Sequence, residues 1–213
     1  MNNISVSCHE DEMLGLVGES GSGKTVLAGA LVAHVRRPGR IVNGEVRYEG
    51  RNLLDLSKEA IHTVRGAQIG MIVSNAAASL NPLISVGEQV ANIYRSHFAV
   101  AKREARDVAL QAITETGIND PEARYRSLPH ELSGGMAKRI IIAAALVLEP
   151  KILIADEPTS GLDVTIQAQV LDKMMELVNQ KKTAGFLLMT RDLGIIAQYC
   201  TRVIVTYAGQ VVE

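Results

Sequence analysis

Residues 12 to 25, "EMLGLVGESGSGKT", constrain the chain more than any other stretch. An apolar run ends in Gly18, a Gly/Ser loop follows, and Lys24 and Thr25 open a helical pattern. The eight residues Gly18, Glu19, Ser20, Gly21, Ser22, Gly23, Lys24 and Thr25 fit G-x-x-x-x-G-K-[ST], in the strand–loop–helix context that this spacing needs. Glycines let successive backbone N–H groups curl toward one anion, and the start of the helix aims its positive end at the same point. Lys24 is placed to reach the β- and γ-phosphates of a nucleotide, and the Thr25 hydroxyl to bind Mg²⁺.

The other apolar runs have the character of strands buried on both faces. "AQIGMIV" (67 to 73), "KILIAD" (151 to 156), "GFLLMT" (185 to 190) and "RVIVTYAG" (202 to 209) are the main ones. Ile4 to Ser7 reads as a short strand, and "GEVRYEG" (44 to 50) as an edge strand bounded by glycines. Helical patterns lie between them at Lys24 to Val35, Thr165 to Asn179 and Leu193 to Tyr199. From about Val86 to Leu148 the periodicity is helical throughout. The expected plan is an α/β core with a parallel sheet and a small antiparallel edge, formed by residues 1–73 and 151–213. A helical subdomain over 74–150 interrupts it.

Composition narrows the function classes. With two Phe, five Tyr and no Trp the core must be aliphatic. Lys plus Arg is 22 against 23 Asp plus Glu, so there is no electrostatic footprint for nucleic acid. The longest apolar run, "IIIAAALVL" (140 to 148), is short of the ~20 residues that a spanning helix needs. The polar, acidic start "MNNISVSCHEDE" is not a secretory signal. Cys8 and Cys200 are too few and too far apart for a zinc site or disulfide framework, and read as reduced thiols of a cytoplasmic protein. The five His residues have no metal-ligand spacing, and His130 reads as a packing or hydrogen-bonding residue.

"ILIADEP" (152 to 158) is a strand ending in two carboxylates. Strand carboxyl ends in a parallel sheet face the ligand crevice. Asp156 is placed there to hold Mg²⁺, and Glu157 to polarise an attacking water as general base. "ELSGGMAKR" (131 to 139) supplies a second helix start: Ser133 as N-cap, with Gly134 and Gly135 leaving backbone N–H groups open to phosphate. One nucleotide rarely needs two such loops, so the second is expected to serve a nucleotide held by another subunit.

The order "GESGSGKT", "LSGGMAKR", "ILIADEPTSGLD", "TRDLG" resembles the nucleotide-binding domains of ABC transporters over essentially the whole chain. "SLNPL" (79 to 83), "PHELSGGM" (129 to 136), "IADEPTSGLDVTIQAQVLD" (154 to 172) and "YAGQVVE" (207 to 213) resemble the ATPase subunits of oligopeptide, dipeptide and nickel importers. The resemblance implies a head-to-tail dimer with each ATP between the phosphate loop of one domain and the "LSGG" of the other. It implies ATP and Mg²⁺ as cofactors and peptides, nickel or a similar small solute as cargo. It implies transmembrane permease subunits as partners, a solute-binding protein indirectly, and a peripheral place on the cytoplasmic face of the membrane. "SGLD" (160 to 163) then couples the two sites, and the helical subdomain docks on the permease.

The chain departs from the family's pattern in three places. Where the family has Gln five residues before the "SLNP" serine, contacting Mg²⁺ and water, this chain has Ser74, which is too short to span the distance. Asn75 is a substitute one position out of register. Where the family has a His that orients water and the catalytic Glu, this chain has Arg191, which stays protonated yet can grip a γ-phosphate bidentately. The bland alternative is that Arg191 points to solvent or pairs with Asp192. Third, the adenine-stacking aromatic that the family carries upstream of the phosphate loop has no counterpart, Tyr48 being the first aromatic, and Glu213 stands where that importer group continues. Ser74 and Arg191 lead to a sharper expectation. The chain's own site is degenerate, and it pairs by preference with a different, competent ATPase. Two readings from other classes stay open: an ATP-gated clamp that does not hydrolyse, and a soluble ABC ATPase outside transport.

Overall fold

The computed structural model describes residues 1–180 and 183–213. In chain order the elements are β1 (Glu12–Val17), α1 (Lys24–Leu31), β2 (Arg47–Tyr48), β3 (Arg51–Asn52), α2 (Lys58–Val64) and β4 (Ile69–Ile72). Then come α3 (Ala76–Ser79), α4 (Val86–His97), α5 (Lys102–Glu115), α6 (Pro121–Arg126) and α7 (Gly134–Leu146). The last are β5 (Ile152–Asp156), α8 (Val164–Gln180), β6 (Gly185–Thr190), α9 (Leu193–Tyr199), β7 (Arg202–Tyr207) and β8 (Gln210–Val211).

Six strands form one sheet in the order β4-β5-β6-β1-β7-β8. Every pairing is parallel except β7 with β8 at the edge. The register brings the carboxyl ends level: Val17 opposite Thr190, Asp156 opposite Met189, Ile72 opposite Ala155. Gly18, Ser74, Glu157 and Arg191 therefore leave the sheet along one edge.

Side chains alternate between two apolar layers, as strands with both faces covered require. Leu153, Ala155, Phe186 and Leu188 join α4, α5, α7, α8 and α9 on one face. Leu14, Leu16, Ile154, Leu187, Met189 and Ile204 meet α1 and α2 on the other. Between β4 and β5 no described residue is in a strand, as the periodicity predicts. Residues of α7 nevertheless share one hydrophobic core with the sheet.

Four expectations are corrected. Ile4 to Ser7 forms no strand, because β6 and β7 already take both edges of β1. Val6 of this stretch and the following Cys8 pack on the smaller core instead. "GEVRYEG" yields only the two residues of β2, which turn back through Glu49 (φ 47°) and Gly50 (φ 76°) onto β3. Two successive positive φ values are the geometry of a tight hairpin, and the pair stands apart from the main sheet. The run from 202 to 209 divides into β7 and a turn that leads into β8. Helix α1 stops at Leu31 rather than Val35: Ala33 is left-handed (φ 53°), His34 N–H donates to Gly29 O at 2.7 Å, and Ala33 N–H donates to Ala30 O at 2.8 Å. This is the Schellman arrangement, closed by Ala rather than Gly.

Candidate nucleotide site

The phosphate loop is fixed from inside. A Cβ at Gly18 would lie 2.5 Å from both oxygens of Thr206, so only glycine lets the chain leave β1 so close to β7. Gly21 (φ 86°) and Gly23 (φ 102°) take the left-handed values that curl the loop. Ser22 is buried and its hydroxyl accepts from Thr206 Oγ1 at 3.4 Å, so it pins the loop to β7. Gly23 caps α1 with no side-chain hydrogen bond, which leaves the first N–H groups of the helix without a side-chain acceptor. Lys24, 6% exposed, folds back so that its ammonium donates to the carbonyls of Gly18 and Glu19. The same ammonium lies 3.8 Å from Glu157 Oε1.

Opposite the loop stands the end of β5. Thr25 Oγ1 donates to Asp156 Oδ2 at 2.8 Å. Asp156 is 1% exposed, and its Oδ1 is buried with no hydrogen-bond partner among the described residues. An orphaned carboxylate oxygen beside a hydroxyl is a donor set suited to a small hard cation such as Mg²⁺, which takes few protein oxygens and completes its shell from phosphate and water. No group of three or more His, Cys, Asp or Glu suited to a metal occurs among the described residues. Glu157 has left-handed backbone (φ 48°), with its N–H donating to Met189 O at 2.8 Å. Thr190 Oγ1 donates to its Oε2 at 3.5 Å.

A cleft of about 380 Å³ brings Glu19, Ser20, Gly21, Gly23, Lys24 and Thr25 together with Ser74, Glu157, Ser160 and Arg191. Gly18, Ser22 and Asp156 do not line the cleft: the first two pack against Thr206, and Asp156 is reached through Thr25. Arg191 lines the cleft, and the Asp192 carboxylate is taken up by the cap of α9, accepting from Gly194 N–H at 2.8 Å and Ile195 N–H at 3.3 Å. Asn75 does not line the cleft; its side chain caps α3 by accepting from Ala78 N–H at 3.2 Å.

Ser133, Gly134 and Gly135 are not among the residues lining this cleft. Ser133 Oγ accepts from Met136 N–H at 3.3 Å as the cap of α7, and Ser133 and Gly134 are exposed. Gly135 faces α8, where a Cβ would come within 3.0 Å of Ile166. His130 does not pack in the core; it is exposed in the turn before this loop.

Sequence reasoning passed over Lys138. It is 4% exposed on α7, and its ammonium donates to the main-chain carbonyls of Ser74 and of Glu157, the latter at 3.2 Å. Burial lowers its pKa, while the charges of Asp156 and Glu157 oppose that shift. The signal was there: Ile141, Ile142 and Ala145 lie three, four and seven positions on, so Lys138 sits on the buried stripe of its helix.

The sequence pattern of the family described as "ABC transporter" matches residues 1–160. The chain is 44% identical over 214 residues to the probable peptide ABC transporter ATP-binding protein y4tR of Sinorhizobium fredii, covering 100% of this chain and 64% of that protein. It is 42% identical over 213 residues to the dipeptide transport ATP-binding protein DppD of Haemophilus influenzae, with the same 100% and 64% coverage. It thus spans slightly less than two thirds of the length of these relatives. Among solved structures, the dimeric post-hydrolysis state of the ATP-binding cassette MJ0796 bound to ADP and Pi matches with a TM-score of 0.84 at 25% identity, over 99% of this chain and 88% of that one. Strand order, phosphate loop and acidic strand end agree with the sequence match: the chain belongs to the ABC transporter family.

Proposed function

We propose that the chain is an ATP-binding subunit that powers import of peptides across a membrane. The observation that carries this is the group at the sheet edge: the open N-terminus of α1, Lys24, the Thr25–Asp156 pair and Glu157 around one cleft. The α1 N–H groups and Lys24 bind the phosphates of ATP, where fixed donors act strongly in a water-poor site. Thr25 and Asp156 would hold Mg²⁺, which would supply charge neutralisation in phosphoryl transfer when bound. Glu157 takes the proton of the attacking water, and Lys24 and Thr190 hold its carboxylate on station.

Peptides are the inferred cargo class because the names of both relatives carry that word; nickel rests on the sequence resemblance alone. The partners are a second cassette and transmembrane permease subunits, with the chain peripheral on the cytoplasmic face. No helix among the described residues is long and apolar enough to cross a membrane. Ser133, Gly134 and Gly135 complete the ATP site of the second cassette, which is a different and competent ATPase. The chain's own cleft is degenerate. Arg191 grips the γ-phosphate as a permanent cation and cannot orient water as a neutral imidazole does. Ser74 contributes a hydroxyl at the metal edge too short to replace an amide. Calorimetric titration with Mg-ATP tests the core of this proposal. Binding by the native chain that Lys24→Ala weakens about 10²-fold is expected; binding unchanged by Lys24→Ala contradicts it. The non-hydrolysing clamp is favoured instead if a complex with permease subunits binds ATP and never turns it over.

A further inference from the structure

We propose that Lys138 is a positioning residue that couples the chain's own nucleotide cleft to its Ser133–Gly135 loop. The inference rests on the ATP reading above. Lys138 lies one and a half turns into α7 from its Ser133 cap, so the helix carries any displacement of one to the other. Its ammonium is held by two main-chain carbonyls, those of Ser74 after β4 and Glu157 after β5. The Ser74 carbonyl also accepts from Ser160 Oγ at 3.4 Å, which draws in the loop after Glu157. Ser74, Glu157 and Ser160 all line the cleft. One buried cation therefore ties the two loops that face the phosphate loop across the cleft to the helix whose exposed end is offered to another cassette.

The choice of a charge is informative. An apolar side chain of this length would fill the same space with no desolvation cost. A buried ammonium is stable only while its carbonyl partners stay within reach, so it resists separation of the two loops and of α7 from them. Because the acceptors are main-chain atoms, the tie follows the backbone of Ser74 and Glu157 whatever side chains those positions carry. Glu157 is the sensitive end, with a non-glycine residue at φ 48° that its surroundings must maintain. A nucleotide that shifts Glu157 shifts the acceptor of Lys138, and with it the first turns of α7.

Hydrogen–deuterium exchange with and without Mg-ATP tests the coupling, on the native chain, Lys138→Met and Lys138→Arg. Each is diluted until sedimentation shows a monomer, so that contact with a second cassette does not protect the loop. In the native chain ATP slows exchange over residues 18–25, and also over 131–139 by about tenfold, within the usual range of coupling between sites. Lys138→Met keeps the first effect and loses the second; Lys138→Arg, which retains donors, keeps both. Protection of 18–25 without 131–139 in the native chain overturns the coupling, as does a Lys138→Met response equal to the native one. Absence of protection over 18–25 in the native chain overturns the ATP reading, and the coupling with it. Thermal melts check folding of each variant, and Lys138→Gln takes the place of Lys138→Met in the same comparison should that variant not fold.

Discussion

Two helix starts in this molecule are built from similar sequence, "GSGKT" and "LSGGM", and their surroundings differ. At α1 the cap is a glycine that makes no side-chain bond, Lys24 is buried against the loop, and the Thr25–Asp156 pair and Glu157 face it across the cleft. At α7 the cap is Ser133, whose hydroxyl is already bonded to Met136 N–H, and the loop lies exposed outside that cleft. Both ends present backbone N–H groups and a helix dipole. Only the first has a cation for phosphate and hard oxygens for a metal. A helix N-terminus thus becomes a site through what the sheet edge places opposite it. The second end, under the proposal above, supplies neutral donors to a nucleotide held by another surface.

Mutation can break this comparison at either end. The largest effect is expected from Ser133→Arg in the complex with a competent partner cassette. A bulky cation in the donor loop removes the contact, and ATP turnover should fall about 10²–10³-fold. ATP affinity of the chain's own cleft should hold, with a loss of stability of about 1 kcal/mol from the missing cap. Next is Lys24→Ala, which should weaken Mg-ATP binding about 10²-fold through the loss of charge-assisted contacts, read by calorimetry. Glu157→Gln sharpens the contrast. In a degenerate site its general-base contribution is small, so turnover of the complex should fall less than about tenfold, against the 10²–10⁴ of a working base. If Glu157→Gln costs the complex more than Ser133→Arg does, the assignment of roles to the two ends is reversed.

The smallest effect concerns neither end. Glu12, at the start of β1, pairs with Arg202 of β7 at 2.5 Å, and that hydrogen bond is the main cause of a pKa lowered to about 2. A carboxylate with a depressed folded-state pKa stabilises the fold above its ordinary value and loses that contribution as pH falls. Thermal stability should therefore decline between about pH 4.5 and about 2, and Arg202→Gln should flatten that decline. Because the pair is remote from the carboxyl edge of the sheet, Arg202→Gln should leave Mg-ATP affinity at neutral pH unchanged.

The features legible in the sequence are those encoded by short-range chemistry. The phosphate loop, the acidic strand end and the strands buried on both faces all announce themselves through local runs. Leu193 to Tyr199 is a helix with the expected bounds, since Asp192 caps it and the apolar spacing is regular. Ile4 to Ser7 was misread because whether a strand pairs depends on which edges are free, and β1 has none. The early stop of α1 was hidden because its left-handed closing residue is Ala33 rather than a glycine. At the site, the sequence named Ser74 and Arg191 as departures, but the long-range pairing of Lys138 with Ser74 and Glu157 joins positions 64 and 19 residues apart. The motif places Ser22 in the phosphate loop through its main chain, and the contact of its hydroxyl with Thr206, 184 residues on, is not encoded in that local pattern.

The central claim is that the cleft binds ATP and, with Ser74 and Arg191 in it, turns ATP over poorly. The direct measurement is Mg-ATP binding and steady-state hydrolysis by the purified chain beside a Ser74→Gln/Arg191→His variant. The account predicts that both bind ATP, that the native chain barely hydrolyses it, and that the double variant gains at least about tenfold in turnover, the scale of one positioned general-base contact. Hydrolysis by the native chain that Glu157→Gln abolishes and the double variant does not raise would contradict it.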